Sequence, residues 1–321
     1  MTTTAGLAFE QLAPRALAHR RALAEVYVAD TAPAGDGGYL AAIQLPRAHS
    51  LWFDRLVRYH DPLCAVEAIR QSLLVIGQRH LEVPADAPAS LQQLSIEVED
   101  LDAFRDNERE PLEGLVRLRS DEDAAGPGYY RNLSFEATLT IGAARAMTVR
   151  GSGITFPRDA YEEFRGLQRA QRPATAPLPP ARPLDPALVG RRDPRNVVLA
   201  DGRDDIPLVI VDQAHPTFFD HPYDHVPGPL LLEAFRQAAV HAATTAGALA
   251  TPVAAPMAIS AEFTGFAELD AELTYWAEFE STADPDDIAV TVCLHQHGTR
   301  IGCARVELMP YPTPLPEETN R

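Results

Sequence analysis

Residues 215–237 read HPTFFDHPYDHVPGPLLLEAFRQ, a stretch that concentrates groups able to move protons. Three histidines, His215, His221 and His225, and two aspartates, Asp220 and Asp224, share one short loop ahead of an apolar run. Histidine is the side chain best matched to proton transfer near neutral pH, and a carboxylate such as Asp224 can orient it. Pro227-Gly228-Pro229 then opens a helix, since proline is tolerated in a first turn, where an N–H has no intrahelical partner. N–H groups at such a start, approachable at Gly228, suit a developing oxyanion. Glu233, Arg236 and Gln237 follow at i, i+3 and i+4, on one helix face. Together these groups suit acyl chemistry, with Glu233 as base, directly or through His225 or His221. The alternatives are a Glu–Arg pair that only stitches helix to sheet and histidines that are only structural.

The helix that must carry Glu233 is apolar nearly all round: Leu230, Leu231, Leu232, Ala234, Phe235, Ala238, Ala239, Val240 and Ala242. Such a helix is buried rather than amphipathic. A second one, near Pro62–Arg79, carries Leu63, Val66, Ile69, Leu73, Leu74, Val75 and Ile76 around its own island of Glu67, Arg70 and Gln71. Buried charges are rare unless paired, because removing each ion from water costs several kcal/mol.

The two helices are copies. Shifting the chain by 166 residues (233 − 67) lays positions 48–71 over 214–237 without a gap, and 8 of the 24 positions are identical. The matches include Glu67-Ala68 over Glu233-Ala234 and Arg70-Gln71 over Arg236-Gln237. A repeat of this kind marks a duplicated domain. In the first copy Arg55, Leu56, Val57, Arg58 and Tyr59 stand where the second has His221 to His225, and only His60-Asp61 offers a comparable pair. The second copy is therefore expected to carry the chemistry, and the first part of the pocket wall or an anion clamp.

Strand patterns surround each helix. The first copy shows Ala22–Ala29, Tyr39–Leu45, Leu94 to Val98, Leu115–Arg119, Leu133 to Ile141 and Ala146–Thr155. The second shows Val197–Ala200, Leu208–Val211 and runs near 257–266, 272–280, 288–297 and 300–308. One long helix wrapped by an antiparallel meander, twice, predicts an α+β double hot-dog. The expected domains are 18–170 and 196–310. They are joined by a stiff connector over 171–195, with seven prolines in 173–194, and followed by a poorly ordered Pro-rich tail at 311–321.

Composition narrows the function. A formal charge of −17 argues against nucleic acid and anionic membranes as partners. All 28 basic residues are Arg, which excludes a Schiff-base lysine and a Walker-type phosphate loop. No run of 18 apolar residues and no signal-peptide layout is present, so a cytoplasmic location is expected. Cys64, Cys293 and Cys303 read as buried thiols in a reducing compartment, and Cys64 as core packing rather than a nucleophile. His295 and His297 read as a hairpin end rather than metal ligands, so no metal site is expected. Arg191, Arg192 and Arg195 read as a solvated linker patch, with docking of an acidic carrier protein as the alternative. No Gly-x-Ser-x-Gly elbow occurs.

The stretch FFDHPYDHVPGPLLLEAFRQAA (218–239) resembles the signature of the A-factor biosynthesis (AfsA) family, and HDPLCAVEAIRQ (60–71) resembles its N-terminal counterpart. The resemblance spans most of residues 20–310; Pro229 departs from it, where an unbranched apolar residue such as Met is expected. It implies transfer of a β-ketoacyl group from an acyl-carrier-protein thioester to the hydroxyl of dihydroxyacetone phosphate, in γ-butyrolactone signal biosynthesis. No cofactor is implied beyond the carrier's phosphopantetheine. The resemblance leaves Arg236 or Arg70 to orient the phosphate, beside Gly228, Gln237, Glu67 and Gln71 as substrate-binding positions, with a monomer or homodimer as the working form. Hot-dog dehydratases place their histidine fourteen residues before the Glu; here that position is Phe219, which argues against plain dehydratase chemistry. A thioesterase or dehydratase on this scaffold, and a non-catalytic acyl-binding protein, remain the rival readings.

Overall fold

The computed structural model describes residues 6–54, 56–122, 131–173, 181–202, 206–280 and 287–312. Positions 174–180 of the expected connector, residues 313–321 of the expected tail, and Arg55 lie outside them. The first repeat comprises β1 (Val28–Pro33), β2 (Tyr39–Leu45), α1 (Pro62–His80), β3 (Ala89–Val98), β4 (Leu112–Glu122), β5 (Arg131–Ile141), β6 (Ala144–Thr155) and α2 (Arg158–Ala170). The second comprises β7 (Leu199–Ala200), β8 (Leu208–Val209), α3 (Gly228–Thr245), β9 (Ala254–Phe263), β10 (Leu273–Glu280), β11 (Ile288–Gln296) and β12 (Thr299–Pro310). The fold is the α+β double hot-dog that the sequence predicts.

All twelve strands form one sheet in the order β1-β2-β4-β5-β6-β3-β9-β12-β11-β10-β8-β7. The halves join where β3 and β9 pair antiparallel, with Leu94 opposite Ala261, Ser95 opposite Ser260 and Ile96 opposite Ile259. The sheet wraps both helices. α1 packs on β1, β2 and β4, and α3 on β10, β11 and β12. α1 starts where Asp61 accepts the Leu63 N–H (3.0 Å) and Pro62 takes the first turn. α3 ends at Gly247, whose φ of +78° suits a residue without a Cβ. Leu230, Phe235, Ala239 and Val240 of α3 are buried, each large side chain contributing about 1.5–3 kcal/mol.

An approximate twofold relates the halves, and polar groups obey it. Asp220 accepts the N–H groups of Arg21 and Ala22 (2.6 and 2.9 Å). Its counterpart Asp54 accepts those of Arg192 and Asp193 (both 3.1 Å). Within each half the helix glutamine grips the entering chain: Gln71 donates to the Glu25 carbonyl and accepts from Tyr27 N–H, and Gln237 donates to the Asn196 carbonyl and accepts from Val198 N–H.

Four local features differ from expectation. The run at 22–29 opens with a 3-10 turn at Leu23–Glu25, because the Asp220 clamp on Arg21 and Ala22 bends the chain before β1. Helix α2 was not predicted. Residues 181–195, assigned by their prolines to the connector, pack as the entry to the second repeat, with Leu184 and Val189 buried. Cys293 and Cys303 are not free thiols: they face each other across β11 and β12 and form a disulfide. Cys64 is free and buried, its thiol pushed up by burial and by Asp61 and Glu67.

Candidate active site

A cavity of about 370 Å³ lies between the two repeats, within the range of small-molecule sites. One wall comes from α1, β3, β5 and β6, including Leu73, Leu133 and Phe135. The other comes from residues 223–229, the start of α3 and the segment around Phe266. The lining is mostly apolar, and its polar groups converge from both halves: Glu67 and Arg70 from α1, Tyr223, His225 and Gly228 from the second repeat.

His225 is held by its neighbour. Its Nδ1 lies 2.6 Å from Asp224 Oδ1. Burial pushes the Asp224 carboxyl up, but His225, the Arg165 guanidinium and the Tyr161 hydroxyl outweigh it and hold the group below the usual carboxylate range. An ionised Asp224 accepts the Nδ1–H, which leaves Nε2 as the proton acceptor on the cavity wall. His221 does not line the cavity. It packs against Tyr223 with ring centroids 4.2 Å apart and planes tilted by 36°, and its Nδ1 is 3.4 Å from an Asp220 already engaged by Arg21 and Ala22. Burial and then Arg20 lower its pKa, against the pull of Asp220. His215 is buried, and its Nδ1 accepts the N–H groups of Thr217 and Phe218.

The helix start offers fewer donors than expected. Pro229 has no N–H, and those of Leu230 and Leu231 both bond to the Pro227 carbonyl (3.0 and 3.3 Å). Only the Gly228 N–H in this turn is left without a partner among the described residues. A Cβ added there would meet nothing within 4 Å, so open space reaches the backbone itself.

The two helical islands have different surroundings. Glu67 accepts from Arg70 (2.8 and 2.9 Å), Gln71 (2.8 Å) and Arg20. Burial would raise its pKa, but Arg70 and Arg20 bring it down to about 2. Arg70 uses Nε and Nη2 for Glu67 and is 35% exposed, so Nη1 faces away from that pair with no partner among the described residues. Glu233 is fully buried and off the cavity. Its oxygens are taken by Arg191 (2.9 and 3.0 Å), by Arg236 (3.0 Å through Nε, with a second contact through Nη2) and by Gln237. Burial raises and the two arginines lower its pKa, to about 2. The expectation that Glu233 is the base therefore fails on geometry: it is fully buried and off the cavity, with Oε1 held by Arg191, Arg236 and Gln237 and Oε2 by Arg236. Arg236 is likewise buried and off the cavity, leaving Arg70 as the arginine that reaches it.

Four contributors escaped the sequence reading. Arg191 is 3% exposed and donates to the Leu51 carbonyl (2.9 Å) as well as to Glu233. It is neither a solvated linker charge nor a surface patch. Arg20 is its counterpart at an offset of 171 (191 − 20), where Arg20-Arg21 lies over Arg191-Arg192 and Ala29-Asp30 over Ala200-Asp201. A second sliding comparison would have found it. Tyr161 and Arg165 of α2, the partners of Asp224, left no comparable signal. His297 occupies the β11–β12 turn with φ 53°, and no group of three potential metal ligands occurs among the described residues. No helix among the described residues is long and apolar enough to cross a membrane.

Residues 1–144 and 173–312 match the family model described as the A-factor biosynthesis hotdog domain. The chain belongs to the AfsA family. Among its AfsA relatives, a 2-oxo-3-(phosphooxy)propyl 3-oxoalkanoate synthase of Streptomyces virginiae is 32% identical over 295 residues, covering 90% of this chain and 94% of the relative. The synthase of the same name from Streptomyces griseus is 30% identical, covering 80% and 82%. Among solved structures, one described as an oleoyl thioesterase from Lactobacillus plantarum has a TM-score of 0.50 at 11% identity, covering 88% of this chain and 99% of that one. One described as a thioesterase II from Thermobifida fusca also scores 0.50, at 12% identity, covering 88% and 97%. At such identities these two bear on the fold alone. AfsA membership and the paired hot-dog architecture thus rest on independent comparisons.

Proposed function

We propose that this chain is an acyltransferase that moves a β-ketoacyl group from an acyl-carrier-protein thioester to the hydroxyl of dihydroxyacetone phosphate, in γ-butyrolactone signal biosynthesis. The name of its relatives describes such an ester. The observation that carries the reading is the convergence, on one apolar cavity, of an Asp-oriented His225, the unpartnered Gly228 N–H and the spare donors of Arg70.

Each group has one task. The acyl chain lies along the apolar wall of α1, β3 and β5, and the thioester carbonyl oxygen faces the Gly228 N–H. Arg70 holds the acceptor's phosphate, since a guanidinium fits it through paired donors. Nε2 of His225 takes the hydroxyl proton as that oxygen attacks the carbonyl carbon. The Gly228 N–H then stabilises the tetrahedral oxyanion. Collapse expels the carrier's thiolate, which receives the proton from His225, and the ester leaves. Asp224 keeps the ring in the tautomer that this cycle needs. Glu67 anchors Arg70, and the Glu233–Arg236–Gln237 island holds the second helix in place. His221 packs against Tyr223 away from the cavity and has no role in the reaction.

No cofactor is required beyond the phosphopantetheine that delivers the substrate. The charge of −17 disfavours nucleic acid or an anionic membrane as a partner, and we place the reaction in the cytoplasm. One chain supplies every group named, so a monomer suffices and a homodimer would work equally.

Mass spectrometry of the protein with a β-ketoacyl thioester, with and without dihydroxyacetone phosphate, tests the proposal. The expected product is a phosphorylated ester formed only with the acceptor. Hydrolysis or dehydration without the acceptor would point to the thioesterase or dehydratase reading. A carrier-bound substrate that is bound but not consumed would point to an acyl-binding protein.

A further inference from the structure

Helix α2 lies wholly within residues 145–172, the stretch between the two segments that match the family model. It is the last element of the first repeat, yet its polar side chains engage the loop of the second. Tyr161 directs its hydroxyl at both oxygens of Asp224 (2.9 and 3.1 Å). Arg165 donates from Nε to Asp224 Oδ2 and from Nη2 to the Asp224 carbonyl (both 3.1 Å). The same guanidinium pairs with Glu268 (2.9 and 3.0 Å) and sits 4.6 Å from the centre of the Phe266 ring, which lines the cavity.

We infer that Tyr161 and Arg165 are positioning residues for the proposed reaction: they fix the Asp224 carboxylate so that its remaining lone pair sets the tautomer and rotamer of His225. The inference rests on the assignment of His225 as base. A clamp needed only for docking α2 would be satisfied by Arg165–Glu268, two charges that compensate each other's desolvation. The Tyr161 hydroxyl adds nothing to that pair; it acts on Asp224 alone. Asp224 is thereby held from the α2 side at both carboxylate oxygens and at its main-chain carbonyl, where Arg169 also donates (3.0 Å), while Oδ1 stays 2.6 Å from the imidazole. Misplacing a reacting group by an ångström can cost roughly a hundredfold in rate, so the support is kinetically significant.

The test compares the full chain with its Tyr161→Phe and Arg165→Met variants by two measurements. In steady-state transfer, kcat is expected to fall roughly 10- to 100-fold with KM for both substrates unchanged, because neither side chain touches substrate. In proton NMR without substrate, the far-downfield Nδ1–H signal of the His225–Asp224 bond, identified by its loss in His225→Gln, is expected to shift or disappear in both variants. Arg165→Met removes the two short contacts of the buried Glu268 carboxylate, leaving it Arg172 at 3.4 Å, and can unfold the protein; Tyr161→Phe, near-isosteric and half-buried, then carries the test, with folding checked by thermal melting. Retention of both kcat and the downfield signal in folded Tyr161→Phe overturns the inference. The NMR arm is independent of the reaction: if the wild type transfers no acyl group but the signal still responds, the functional proposal fails and the positioning role stands.

Discussion

The two halves carry the same helical island and differ in the loop that faces it. At the offset of 166, Tyr59 stands for His225, Arg58 for Asp224 and Pro62 for Gly228. The loop of the first repeat thus has no histidine and no aspartate at the two matching positions; its His60 lies off the cavity, 3.8 Å from Asp106, and at Pro62 it lacks the N–H that would meet an oxyanion. Tyr59 instead donates to Asp102 and packs against Tyr311, and Arg191 sits between Glu233 and Asp61. The open site joins α1 of the first repeat to the loop of the second; the closed one joins α3 to the loop of the first. Glu–Arg–Gln is common to both, which fits a device of the fold and the proposal that chemistry resides in the loop.

The sharpest test removes the loop base. His225→Gln is expected to lower kcat by about a hundred- to ten-thousandfold with the melting temperature unchanged. A comparable loss in Tyr59→Phe would erase the distinction between the sites. Next in size is the closed site: Arg191→Met leaves Glu233 with one arginine in a fully buried position, and the expected cost is about 3–5 kcal/mol in denaturant unfolding. Arg70→Met should act on binding as well as on stability. It leaves the buried Glu67 with Arg20 alone, so the melting temperature falls, and KM for the phosphorylated acceptor rises by about tenfold, as for loss of a charge-assisted hydrogen bond. The smallest effect is shared by both halves. Glu67 and Glu233 have folded-state pKa values of about 2, below the ordinary 4.5. Depressed carboxylates stabilise the fold above the unfolded value and lose that contribution as pH falls through the folded one. Melting temperature should therefore drop between pH 4.5 and about 2, and less steeply in Glu67→Gln and Glu233→Gln.

Much of this was legible in the sequence, and what was not has physical reasons. α1 and α3 were readable because their apolar surfaces and Glu–Arg–Gln clusters repeat at a fixed spacing. β2 begins and ends where its strand-like run, Tyr39–Leu45, does. α2 was not: its aromatic side chains Tyr161 and Phe164 meet Phe156 and Phe266, but its one buried residue is Arg165, and with Phe164 and Leu167 partly exposed nothing in it reads as a core helix. Arg191 was misread since an arginine among prolines belongs by default in water, and the partner that buries it is 42 residues away. Glu233 was taken for a base since sequence shows which charge lies near a loop, not how many donors already surround it. The choice between His221 and His225 needed three dimensions, because both follow an aspartate and only packing decides which one faces the cavity.

The cavity draws its walls from both halves of one polypeptide. In a dimer of separate half-chains such a site would form and dissolve by mass action, and both copies would be bound by sequence to the same fate. Covalent linkage replaces that dissociation constant with a fixed effective concentration. Assembly of the cavity then becomes independent of dilution, and either half is free to lose its loop chemistry without erasing the other's.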